Sequence, residues 1–142
     1  MPVMRRRLPP ALLLLAVVLL ATATHGAADD AAQAADPALR QLDAFRRNDY
    51  DTAYTFASVL IHRLFDRQAF ERMVKTGYPE IADSVRAHVA GRRVAPDGSV
   101  HLVIKIRGAN GERIEALYEM VREDGGWKIN GVSTRPDPGE DA

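Results

Sequence analysis

Four segments in the second half of the chain alternate apolar and polar side chains with a period of two. Val85, Ala87 and Val89 alternate with Arg86, His88 and Ala90. After the turn Pro96-Asp97-Gly98-Ser99, Val100, Leu102, Ile104 and Ile106 alternate with His101, Val103, Lys105 and Arg107. After Gly108-Ala109-Asn110-Gly111, Ile114, Ala116, Tyr118 and Met120 alternate with Arg113, Glu115, Leu117, Glu119 and Arg122. After Asp124-Gly125-Gly126, Trp127, Ile129, Gly131 and Ser133 alternate with Lys128, Asn130 and Val132. Successive side chains of a strand point to opposite faces, so this pattern puts one apolar face on each segment. Connections this tight join neighbours as hairpins, which predicts a four-stranded antiparallel meander.

Upstream of the sheet the spacing is helical. Asp36-Pro37 predicts a helix start, with Asp36 accepting from free backbone N–H groups and Pro37 losing nothing at the first helical position. Ala38, Leu39, Leu42 and Phe45 follow at helical spacing, and the pattern stops at Arg47-Asn48-Asp49. A second helix runs from Asp49 or Tyr50 to Ala57, and so short a link makes a helical hairpin. Residues 59–65 (VLIHRLF) are too apolar for a free loop but have no assignable period. Asp66 then caps a third helix that buries Phe70, Met73 and Val74 and ends at Gly77-Tyr78-Pro79. Helices followed by an alternating sheet predict an α+β fold, with the N-terminal helices packed on one face of a curved antiparallel four-stranded sheet and a pocket between the layers. Residues 29–35 (DDAAQAA) read as a flexible leader and residues 134–142 as a flexible acidic tail, which leaves a single domain over residues 36–133.

The chain begins with three consecutive arginines, Arg5, Arg6 and Arg7, followed by an unbroken apolar run at residues 11–21 (ALLLLAVVLLA) and then small residues. That order is the pattern of a secretory signal peptide, here residues 1–28. The run is about half of the roughly 20 residues needed to span a bilayer, so no membrane span is expected once the signal is removed. The expected location is the bacterial periplasm or the exterior. Cleavage after Ala28 leaves 114 residues with 16 basic and 19 acidic side chains, a net charge of −3. A mildly acidic domain lacks the basic surface of a nucleic-acid binder. The chain has no cysteine, so neither a disulfide framework nor a lipid anchor is expected and packing must hold the fold.

The helical stretch Gln41-Leu42-Asp43-Ala44-Phe45, with Asp49, Tyr54, Phe56, Ala57-Ser58, Ile61, Phe65, Phe70, Met73-Val74 and Gly77-Tyr78-Pro79, resembles the bacterial family known as domain of unknown function 4864. The ending Tyr118…Gly126-Trp127-Lys128-Ile129-Asn130-Gly131-Val132 is similar too. That family tends to have proline after Ala57-Ser58, where this chain has Val59. A helical hairpin followed by a sheet ending in Trp-Lys-Ile also resembles the nuclear transport factor 2-like superfamily, which implies a cone-shaped α+β fold. That superfamily includes small-molecule isomerases and dehydratases, ligand binders, lipid carriers and dimerising modules, so the resemblance bears on fold more than on function.

The helix-facing register of the sheet contains no Asp, Glu or His. Acid/base chemistry in an apolar pocket needs such a group. The favoured reading is therefore an exported, non-enzymatic binding or interaction module. Its apolar pocket is expected at Tyr54, Phe56, Leu102, Ile104, Tyr118 and Trp127, for a small apolar ligand or lipid. The alternatives are an isomerase- or dehydratase-like enzyme using a tyrosine donor with a helix-borne carboxylate such as Asp43, and a structural partner of an envelope complex. On the outer register Val103, Leu117, Val121 and Val132 form a candidate face for a homodimer through the sheet. No catalytic set, cofactor motif or metal site is read from the sequence. His62 with Asp66, and His88 with His101, are pairs without a third ligand.

Overall fold

The alternating segments form one open antiparallel sheet in the order β1-β2-β3-β4, with β1 at Ser84–Val94, β2 at Val100–Gly108, β3 at Arg113–Glu123 and β4 at Gly126–Pro136. The computed structural model describes residues 11–139, and side-chain surroundings from residue 26 onward. The basic start of the expected signal peptide, residues 1–10, and the last three residues of the tail lie outside the described residues. Helices α1 (Ala11–Arg46), α2 (Tyr50–Thr55), α3 (Val59–Leu64), α4 (Arg67–Gly77) and α5 (Pro79–Ala82) precede the sheet. The fold is α+β, with the helices on one face. The core lies between the layers and holds Val100, Leu102, Ile104, Ile114, Ala116 and Met120 from the sheet, and Ala38, Leu42, Phe45, Tyr50, Phe70 and Ile81 from the helices.

The first helix does not begin at Asp36-Pro37. It is continuous through that point, and Asp36 pairs with Arg40 one turn on at 2.9 Å instead of capping. Residues 29–35, read as a leader, are helical, and Ala34 and Ala35 are buried with Ala38 against the core. Alanine is the best helix former, and a packed face offsets the cost of an interior proline. Asn48 ends the helix in the left-handed region at φ 54°, where asparagine is well tolerated. Asp49 then caps α2 by accepting from the Thr52 N–H at 3.1 Å.

The unassigned apolar stretch is α3. Ser58 is its cap, and Asp66 caps α4 by accepting from the Ala69 N–H at 2.8 Å. Pro79 starts the short helix α5, which the change of period concealed. The tail is ordered further than expected: β4 runs to Pro136, the Asp137 N–H donates to the Arg113 carbonyl at 3.1 Å, and the Asp137 carboxylate meets Lys105 at 3.4 Å.

Three register shifts interrupt the sheet, two between β1 and β2 and one between β3 and β4. Each adds one residue to a strand, bends it and raises its twist. In β1 the first shift leaves Val85 exposed, although its alternation placed it inside. In β4 the extra residue is Asn130: Met120 pairs with Ile129, but Glu119 pairs with Gly131 and Tyr118 with Val132. Val132 therefore faces the helices. It was expected on the outer register, and a one-residue insertion exchanges the faces of everything beyond it.

Candidate functional site

A cavity of about 230 Å³ lies between the helices and the β3–β4 half of the sheet. Its floor is Tyr118 from β3 with Ile129, Gly131 and Val132 from β4. Gln41 and Phe45 of α1 form one wall, and Phe70, Met73 and Val74 of α4 with Tyr78 and Ile81 form another. Ala57, Ile61 and Phe65, which flank or belong to α3, close the remaining side. Ile61, Phe65, Met73 and Tyr78 are half-buried, and Tyr118, Phe70 and Ile81 are buried. No charged side chain is in the lining.

The polar groups of the lining come from Gln41, Tyr78 and Tyr118. Gln41 donates through Nε2 to the Ala53 carbonyl at 3.0 Å, which ties α1 to α2. The Tyr78 hydroxyl donates to the Val132 carbonyl at 3.3 Å. Tyr118 differs from both: its hydroxyl is buried and has no hydrogen-bond partner among the described residues. Burial disfavours the phenolate and pushes its pKa far above the ordinary tyrosine value. The group is thus a neutral O–H donor held at an apolar wall. A buried hydroxyl without a partner costs stability, which is why such groups are rare.

The α3 side of the cavity is pinned to β4. The Ser58 N–H donates to the Ile129 carbonyl at 2.8 Å and the Ile129 N–H to the Phe56 carbonyl at 2.9 Å. The Ser58 hydroxyl donates to Asn130 Oδ1 at 2.8 Å, and Asn130 Nδ2 donates to Glu119 Oε1 at 2.7 Å. The bulge residue is therefore also the anchor of α3. Val59, where the resembled family tends to have proline, is the first residue of α3, the position at which proline is best tolerated. Its N–H, which proline would lack, donates to the Glu123 carboxylate at 3.2 and 3.3 Å.

Of the six residues expected to line a pocket, Tyr118 is in the lining of this cavity and the other five are not. Leu102 and Ile104 are fully buried core beneath the helices. Tyr54 supports the wall from behind: its hydroxyl donates to the Phe65 carbonyl at 2.6 Å, and His62 stacks on its ring at 4.0 Å between centroids. Phe56 is half-buried at the end of α2. Trp127 lies under the Arg122 guanidinium, 4.8 Å from the ring, and Arg122 is held by Asp30 of α1 at 2.6 Å. The helical wall was missed because residues 59–65 lacked a period, yet Ser58 before an apolar run was a readable cap signal.

Asp43, the carboxylate considered for catalysis, is exposed and pairs with Arg47. Glu115 is 7% exposed, but it lies on the outer face and accepts two hydrogen bonds from Arg135, at 2.9 and 2.6 Å. Of the candidate dimer face, Val103 and Leu117 are direct cross-strand partners, while Val121 stands apart opposite Lys128 and Val132 is on the other face. His88 and His101 are opposite Lys105 and Arg93 respectively, not each other. Among the described residues no group of three or more His, Cys, Asp or Glu could hold a metal, and no helix is long and apolar enough to cross a membrane. No curated protein and no solved structure matches the chain. The match to a family is extensive: over residues 27–142 the chain belongs to the family described as domain of unknown function (DUF4864).

Proposed function

We propose that this chain is an exported binding module that takes a small, uncharged, largely apolar molecule into the cavity beneath α3 and α4, with Tyr118 donating a hydrogen bond to one acceptor on it. The observation that carries this reading is the unpartnered Tyr118 hydroxyl in a largely apolar, uncharged lining whose other polar side chains, Gln41 and Tyr78, are already hydrogen-bonded. Binding sites are typically apolar concavities with a few placed polar groups. An apolar cavity of 150 Å³ holds benzene, so by proportion 230 Å³ holds about nine non-hydrogen atoms, the size of a short acyl ester or a substituted ring. An ionised ligand is disfavoured because no charge in the lining would compensate its desolvation. Export rests on the signal pattern at the start of the chain.

Methyl hexanoate, which carries an ester carbonyl, and nonane, which does not, are both of the size the cavity holds and separate the two halves of this reading. The wild-type protein binds the ester more tightly, and Tyr118→Phe removes the preference, about fivefold for one neutral hydrogen bond. The same substitution raises stability in urea by about 1 kcal/mol, because it deletes an unsatisfied buried hydroxyl. Val132→Phe, which fills the cavity, abolishes binding of both. Wild-type protein that binds neither molecule, or that binds both equally, overturns the proposal. An enzymatic reading has no carboxylate or imidazole at the cavity to work with.

A further inference from the structure

Helix α3 has six residues and buries none of them. Val59, Leu60 and Leu64 are 49, 46 and 63% exposed, half of the large exposed apolar side chains among the described residues. Leu60 and Leu64 are one turn apart and share a face. The adjacent face of the same short segment, one residue further round, supplies Ile61 and Phe65 to the cavity wall. The segment is thus apolar both toward the cavity, through Ile61 and Phe65, and toward the outside, through Leu60 and Leu64. Its polar residues are His62 and Arg63, and it has no acid. Scattered exposed leucines are ordinary, but a cluster over the wall of an apolar cavity marks a contact surface.

Helix α3 is fastened along its inner side, which leaves Leu60, Arg63 and Leu64 to the outside. At the start, Ser58 is tied to Asn130 and the Val59 N–H to Glu123. At the other end the Phe65 carbonyl accepts from the Tyr54 hydroxyl, and His62 Nε2 lies 2.8 Å from the Tyr54 carbonyl.

We propose that α3 docks on the surface of a lipid bilayer, with Leu60 and Leu64 entering the acyl boundary, and that the cavity ligand passes between bilayer and protein beneath this helix. The inference rests on the cavity being a ligand site. An uncharged apolar molecule of that class partitions into lipid, so its reservoir is a bilayer and its entrance must face one. Short apolar elements carrying basic residues suit the interface, where leucines sit below the headgroups and Arg63 meets lipid phosphate.

The test uses the signal-free protein and vesicles of phosphatidylethanolamine with phosphatidylglycerol, read by flotation. Wild-type protein floats with the vesicles. The double variant Leu60→Asp with Leu64→Asp floats at least about tenfold less, since each change replaces an inserted apolar group with a charge. Far-UV circular dichroism confirms its fold, and Leu64→Asp alone, at the most exposed site, supplies a milder second variant. Both variants bind methyl hexanoate in vesicle-free buffer as the wild type does, which separates docking from the cavity reading. Wild-type protein that stays with the buffer, or variants that float as well as wild type, overturns the docking proposal whatever the ester titration shows. Loss of ester binding in all proteins, with flotation intact, overturns the cavity reading instead.

Discussion

The Ser58 hydroxyl, in a residue with no solvent exposure, caps α3 by accepting from the Ile61 N–H at 3.4 Å and donates to Asn130 at 2.8 Å. Alanine at this position leaves the Asn130 carbonyl without its donor and frees the α3 N-terminus. Ser58→Ala is expected to cost about 1–3 kcal/mol in urea denaturation, with the loss confined to α2–α4 in hydrogen exchange. Tyr118 gives a second expectation at this scale. Its raised pKa means that the protonated phenol is stabilised by folding. That contribution is complete below the unfolded tyrosine value near 10 and is lost as pH rises beyond it. The phenolate absorbance of Tyr118 therefore emerges together with alkaline unfolding, measured against Tyr118→Phe. The sequence placed Tyr118 on the inner face through simple alternation. That its hydroxyl finds no partner follows from neighbours on α1 and α4, which are remote in sequence.

Helix α1 carries Pro37 in its interior. Proline there forfeits one i to i−4 hydrogen bond and crowds the preceding turn. Pro37→Ala is expected to stabilise the domain by about 2–3 kcal/mol, checked by chemical denaturation of the signal-free protein. A local reading starts the helix at this residue because proline is also favoured at a first turn. The continuation depends on Ala34 and Ala35 being buried, which is a tertiary fact. In the sheet, Arg86, Arg107 and Arg113 are successive cross-strand partners on the outer face. Like charges directly opposite each other destabilise a sheet. Arg107→Thr is therefore expected to gain about 0.5 kcal/mol at low ionic strength, a gain that fades as salt screens the row. The same element scale decides the site: the Asn130 bulge turns Val132 inward, and no alternation rule can place an inserted residue.

Over the whole molecule, the acid limit of stability follows from four carboxylates held below their ordinary values. Asp49 and Asp97 accept hydrogen bonds from Thr52 and Ser99, Glu71 from Arg67 and Lys75, and Asp137 from the Gly139 backbone N–H. Depressed folded values mean that the unfolded chain binds protons first as pH falls. Their contribution is complete above the ordinary values of 3.8 and 4.5 and declines as pH falls below them. Thermal midpoints should be flat with respect to these groups above about pH 5 and fall below about pH 4. With no cysteine, reducing agent should leave the midpoint unchanged.

The sheet, its order and, away from the bulges, its apolar face were determined by the chain itself, because strand pairing through two- to five-residue connections is local and the period of two assigns the faces between bulges. The hairpin of α1 and α2 and the cap of α4 were local for the same reason: a side chain three residues away satisfies each free N–H. The cavity was decided only by tertiary structure. It exists where five helices of unequal length fail to fill the hollow of a bulged sheet, and its wall comes from segments whose separate patterns carry no sign of one another. Packing also converted the alanine-rich stretch before Asp36 from expected leader into helix, since burial supplies free energy that no local pattern records.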